Sequence, residues 1–428
     1  MPGRTGRILS SPWLFLACLA PTLLLGAGLA LWLQPEPHSD WGYYWRAAGE
    51  YQDYERGGVG LWLLAIPKAL GLSPVASALS LNLPAAVVAL WVSWCADLRG
   101  ARGLWLATAA YLFLISPYFG IVQLDLTASA SLGAGMWLAT SAGVHRGRRG
   151  SLAIALLLVV AGVSTRPQFA LTLWTMLTLL AVPWLLWGKR AGPAASTLLG
   201  VLLVGSILGF ALDYGLRGLG DRDESIRTSS AVTLYGGLLV SGQGQGCGYW
   251  SLEAARAAKA DLHKPLHRAA IDRLAEQSAS HWAGVLRCKL PEILRPPPYA
   301  TYWLVETPSV RAAIDADPRS AEINATYYRI LGHERRLYWW LTMAMLVAVI
   351  GAAAVAMSRR KFVAGFLPVT WVVSFWLVHL VFEIQGRYFL GMFLLAPLLC
   401  ALALARPEPD SGDPGRDGGR ARRRGPSA

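Results

Sequence analysis

Apolar residues occur along this chain in long blocks, interrupted by short polar or basic clusters. The first block runs from about Trp13 to Leu33, behind Arg4 and Arg7. It is long enough to cross the hydrocarbon core of a bilayer, about 30 Å thick. No small-residue cleavage site follows it, so it predicts a retained first transmembrane helix. A second span is expected from Pro74 to Cys95, ending in Asp-Leu-Arg-Gly-Ala-Arg. The next apolar block, Leu104 to Val144, would make a helix about 60 Å long, twice the bilayer core. It is therefore read as a hairpin with its tip at SPYFGIVQLD, near Asp125. After HRGRRG another over-long block begins, and Arg166, its one charged residue, precedes Pro167, which favours a turn there. Further spans are expected at about Ser196–Leu212 and Tyr338–Met357, followed by a last hairpin with its tip at Glu383–Tyr388. The pattern predicts an all-α polytopic membrane protein with about ten transmembrane helices and with juxtamembrane helices in the first outer loop.

The polar stretches divide the chain. Residues 1–214 form an N-terminal membrane domain, 215–335 a mostly helical extracytoplasmic loop region, and 336–405 the C-terminal membrane helices. The Gly-, Pro-, Arg- and Asp-rich tail at 406–428 reads as disordered. Within the first domain, the outer loop at 34–58 is turn-rich; from His38 to Gly58 it carries four tyrosines and two tryptophans around Asp40. After it, VGLWLLAIPKALGL is too short to span and contains Pro67, which suggests a juxtamembrane helix. In the polar region, SGQGQGCGYWS leads to a helix N-cap at Ser251. A helix is expected from Glu253 to about Lys289, kinked at Pro265, and RPPPY (Arg295–Tyr299) is an extended break.

Composition agrees with this class. Of 428 residues 54% are hydrophobic and 15% charged, where a soluble protein carries about a quarter charged. The net charge of +13 does not imply nucleic acid. It lies largely in the tail and in the loops holding Arg99, Arg102, Arg146, Arg148, Arg149, Lys189, Arg190, Arg359, Arg360 and Lys361. Acidic residues (Glu36, Asp40, Glu50, Asp53, Glu55) gather in the first outer loop. By the positive-inside pattern both termini are cytoplasmic and the protein is a multi-pass component of the inner (plasma) membrane. Of the five cysteines, Cys18, Cys95 and Cys400 fall in apolar spans. Cys247 and Cys288 share the polar loop, where a disulfide and two free thiols are equally compatible with the sequence.

Candidate chemistry falls on the outer side. Asp40, Asp125, Arg166, Glu383, Gln385 and Arg387 lie at hairpin tips or just after the first span. Single charges at such tips are often merely solvated, but ionisable groups near membrane depth are costly and usually functional. His379, on an apolar span, reads as a core histidine. His263, His267 and His281 do not amount to a zinc signal. Tyr235-Gly236-Gly237 could border an acceptor cleft.

An Asp just after the first span, followed by aromatic residues and a Pro-containing juxtamembrane helix, resembles the GT-C superfamily of integral-membrane glycosyltransferases. So do SPYFGIVQLD, the Arg166-Pro167 pair and Arg387-Tyr388-Phe389. The likeness is to polyprenyl-phosphate-sugar-dependent members related to protein O-mannosyltransferases and the lipid A aminoarabinose transferase. It covers roughly residues 12–190 and 337–405. Many of those enzymes show Asp-Glu in the first loop, whereas Asp40 is followed by Trp41. The resemblance implies transfer of a sugar from a polyprenyl-phosphate donor to a glycan, lipid or protein acceptor. Asp40 would then be the catalytic carboxylate, with Asp125 as its partner. Arg387 and Arg166 would bind the donor phosphate, and Tyr43, Tyr44, Tyr54, Glu383, Gln385 and Tyr388 the substrate. A divalent cation (Mg or Mn) would need Asp40 and Asp125 together. Rival readings are a polysaccharide polymerase or ligase, and a secondary transporter or lipid flippase. The last predicts internal repeats, and none is evident.

Overall fold

The computed structural model describes residues 8–49, 57–98, 103–122, 124–144, 149–188, 191–217, 225–239, 248–249, 251–261 and 264–405. Among these every regular element is helical. The first half contains α1 (Pro12–Leu33), α2 (Ser39–Ala47), α3 (Gly58–Ala69), α4 (Pro74–Leu98), α5 (Trp105–Ile115), α6 (Asp125–Val144), α7 (Arg149–Thr165), α8 (Gln168–Trp187) and α9 (Pro193–Arg217). The polar middle supplies α10 (Ser225–Leu238), α11 (Leu252–Ala260), α12 (Leu266–Ala275), α13 (Ala279–Leu294), α14 (Ala300–Val305) and α15 (Pro308–Ala316). The chain then returns through α16 (Ser320–Ser358), α17 (Phe362–Val381) and α18 (Leu390–Leu404). Short 3-10 turns at Ser116–Gly120 and Gly386–Phe389 precede α6 and α18.

Seven of these stretches are long and apolar enough to cross a membrane: α1, α4, α8, α9, α16, α17 and Gly386–Leu404 with α18. The protein is thus an all-helical, polytopic membrane protein. Helices also stand at the other three places where spans are expected, but outside that class. Helices α5 and α7 have only 11 and 17 residues, and α6 (DLTASASLGAGMWLATSAGV) is diluted by Gly, Ser and Thr. Small side chains instead let α6 pack tightly. A Cβ at Gly162 on α7 would fall 2.9 Å from the Ala128 carbonyl oxygen of α6, so the two backbones touch, as small residues permit between membrane helices. Helix α6 also packs on α4, α9 and α18. All 15 residues of α18 are buried, which places it at the centre of the bundle.

Several local readings change. The first outer loop is helical in part, as expected there, and Ser39–Ala47 forms its first helix. Lys68 on α3 caps its C-terminal end, donating to the Trp45 and Ala48 carbonyls at 2.8 Å, where a cation suits the helix dipole. The return into α3 is fixed by buried Asp213 of α9, whose Oδ1 accepts the amides of Gly57 and Gly58 at 2.8 and 3.1 Å. The helix expected from Glu253 to Lys289 is three helices. Ser251 caps α11 as expected, accepting the Ala254 amide at 3.0 Å, Pro265 starts α12 instead of kinking one helix, and Ser278 caps α13. RPPPY has no regular structure up to α14, which starts at Ala300. Helix α16 begins 18 residues before the expected Tyr338, so its 39 residues, about 58 Å, rise well clear of a bilayer. Cys288 is disulfide-bonded, while Cys18 and Cys400 are free thiols. Cys247, the expected partner, lies outside the described residues, as do Tyr54 and the 406–428 tail.

Candidate functional site

The turns between helices converge at one end of the bundle. Asp40 is the second residue of α2, and Arg387 lies on the 3-10 turn before α18. The two form an ion pair 347 residues apart in sequence, through Arg387 Nη2 and Asp40 Oδ2. Asp125, the first residue of α6, accepts Arg166 Nη2 at 2.5 Å. Arg166 stands in the α7–α8 turn, and its Nη1 donates to the Tyr44 hydroxyl of α2 at 2.9 Å. The pairs lie within electrostatic reach of each other: Arg166 feels Arg387, and Arg387 feels Asp125. Tyr118, from the turn before α6, is buried within reach of Asp125, Arg166 and Arg387. Four chain segments far apart in sequence thus build one cluster of two acids and two bases.

Burial differs sharply within it. The side chains of Arg387, Asp125 and Arg166 are 1%, 2% and 5% exposed, and that of Asp40 26%. Removing such charges from water costs several kcal/mol per ion unless each is paired, which explains why each base faces an acid. Asp40 is the most solvent-exposed member of the cluster. Around it, buried polar atoms remain without hydrogen-bond partners, among them Asp125 Oδ1 and Arg166 Nε. Such atoms are uncommon in a purely structural core.

The aromatic wall differs from the expected one. Tyr44 is buried and serves Arg166, and Tyr43 packs edge-on against it with ring centroids 5.7 Å apart. Tyr388 lies 5.2 Å from the Arg387 guanidinium carbon and stacks on His379 at 5.5 Å. His379 is a core residue, its Nδ1 2.9 Å from the Glu383 carbonyl oxygen. Glu383 and Gln385 are hydrogen-bonded to each other, and Glu383 lies within electrostatic reach of Lys289. Trp303 of α14, absent from the sequence reading, lies 5.2 Å from the Arg387 guanidinium carbon. The one signal for it was an aromatic pair (Tyr302-Trp303) shortly after a proline break. Tyr235 is buried and donates to Asp261 at 2.8 Å. Its hydroxyl pKa is pushed up to about 12 by burial and by that carboxylate.

The polar region is fastened to the site. A Cβ at Gly386 would fall 2.0 Å from the Pro297 carbonyl oxygen, so the RPPPY segment lies directly on the tip that presents Arg387. The Glu383 and Ile384 amides donate to the Thr233 and Gly248 carbonyls at 3.0 and 2.6 Å. Both candidate carboxylates already face guanidinium groups, and among the described residues no three His, Cys, Asp or Glu side chains come together. No protein-family model, characterised protein or solved structure matches the chain.

Proposed function

We propose that the protein is a membrane glycosyltransferase that moves a sugar from a polyprenyl-phosphate donor to a hydroxyl group of an envelope glycan, lipid or protein. The observation that carries this reading is the Asp40–Arg387 pair, with its carboxylate open to solvent and its guanidinium buried beside a second pair, Asp125–Arg166. The acceptor oxygen attacks the anomeric carbon while the bond from that carbon to the phosphate oxygen breaks. The electron pair leaves with the phosphate, and the acceptor proton passes to Asp40. Once Asp40 is protonated its hold on Arg387 weakens, just as negative charge grows on the leaving phosphate. The guanidinium N–H edge can then turn from carboxylate to phosphate without entering water. Arg166 and Asp125 keep Tyr44, and with it α2, in register with the bundle.

In this reading the chain crosses the plasma membrane ten times. Helices α5, α6 and α7 complete the set, both termini are cytoplasmic, and the site faces outward. Support comes from the basic clusters at the opposite helix ends and from helices at all ten expected places. The test is transfer of radiolabelled sugar from a polyprenyl-phosphate donor in membranes containing or lacking the protein. Equal incorporation in both would overturn the assignment. Labelling of a cysteine placed at Arg148 by an impermeant reagent in whole cells would overturn the orientation.

A further inference from the structure

Trp303 touches what supports both partners of the central ion pair. On one side it lies 5.2 Å from the Arg387 guanidinium carbon. On the other its ring centroid is 5.3 Å from that of His38. His38 is the N-cap residue of α2, two positions before Asp40, and its ring also meets buried Trp41 edge-on at 6.4 Å. Tyr388 approaches the guanidinium at the same 5.2 Å distance as Trp303. A closed circuit results: His38 to Trp303, Trp303 to Arg387, Arg387 to Asp40, and Asp40 back to His38 along the chain.

An arginine side chain has many rotamers, and holding it in one is an entropic cost. Aromatic rings hold a guanidinium by cation–π attraction, stronger where water is excluded, while its in-plane N–H groups stay available for a carboxylate or phosphate. We propose that Trp303 is a positioning residue for Arg387, which it and Tyr388 hold so that the N–H edge meets Asp40. The polar region is then part of the site, since α14 brings Trp303 to the bundle between the RPPPY segment and Thr307-Pro308. This rests on the reading of Arg387 as the phosphate-binding group, and the experiment separates the two ideas.

The probe is phenylglyoxal modification of the full-length protein in membranes, read at individual arginines by peptide mass spectrometry. Arg387, buried and held, reacts slowly in the native protein. Trp303→Ala should raise its modification rate at least fivefold. Trp303→Phe, which keeps a ring there, should stay within twofold of the native rate. Arg166, held by Asp125 and Tyr44, should not change in either variant. An unchanged rate at Arg387, or equal increases at Arg387 and Arg166, would overturn the proposal, the second because it reports general loosening. If Trp303→Ala does not accumulate, Trp303→Leu, bulky but without a ring, is read in the same way. Adding geranylgeranyl phosphate tests the underlying reading. Protection of native Arg387 supports it, whereas no protection alongside the fivefold Trp303→Ala effect leaves positioning standing and removes the phosphate role.

Discussion

Lys289 of α13 lies 2.9 Å from the carbonyl oxygen of Leu380, in the last turn of α17. The same ammonium donates to the carbonyls of Gly237 and Phe382, each at 2.8 Å, so one buried cation joins α10, α13 and the end of α17. It sits where the helix dipole favours positive charge, just before the tip that carries Arg387. Lys289→Met keeps the length of the side chain but leaves three carbonyls without their donor. At about 1–3 kcal/mol for a buried group left unsatisfied, a loss of several kcal/mol is expected, visible as a lower Tm in detergent. Burial pushes the Lys289 pKa down to about 7 from 10.5, against an opposing pull from Glu383. Between those values the unfolded chain holds a proton that the folded protein has released, so this residue makes stability rise with pH across the window. Comparing Tm from pH 7 to 10 should show that rise in the native protein and a flatter profile in Lys289→Met.

Asp40→Asn keeps the shape of the side chain and removes its charge. Because the side chain is open on one side, water can reach the N–H edge of Arg387, and the fold should persist. Turnover should drop by about a hundredfold or more if Asp40 is the general base. Arg387→Lys retains a cation but not the planar two-point contact, and should also be impaired. Arg46→Ala, on the exposed side of the same helix, should be near normal. Radiolabelled transfer at matched expression checks all three, and wild-type turnover in Asp40→Asn would make Asp40 a solvated surface residue.

Asp125 presents the opposite case. Its pair with Arg166 is closed to solvent, so Asp125→Asn leaves a buried guanidinium uncompensated, at a cost of about 3–5 kcal/mol. Adding Arg166→Met should recover part of that loss, since removing both charges avoids the isolated one. Thermal unfolding of the two singles and the double tests this. Strict additivity would mean that the pair does not couple.

Gly386→Ala should act on the site through backbone contact. The added methyl meets the Pro297 carbonyl and must push the RPPPY segment away from the tip. We expect transfer activity to fall while the membrane helices remain assembled. Limited proteolysis is the readout: faster cleavage within 295–305 at an unchanged Tm is the predicted outcome.

The sequence by itself determined the class of the protein and the positions of its turns. Apolar blocks about as long as a bilayer is thick can only be helices there, since their backbone groups must be satisfied internally. Two blocks twice that length had to fold back, and Asp125 and Arg166 do lie at those turns, as Glu383–Tyr388 lies between the last two helices. Hydrophobicity along one segment carries no information about which tips meet. The pairing of Asp40 with Arg387 and of Asp125 with Arg166 was decided by the packing of α6 and α18 in the centre of the bundle. The same holds for Trp303 and Lys289, both in the polar region, where local pattern shows helices and breaks but not docking. Their roles arise from burial against α17 and the tip after it, because a cation or an indole gains its worth there only where water is excluded.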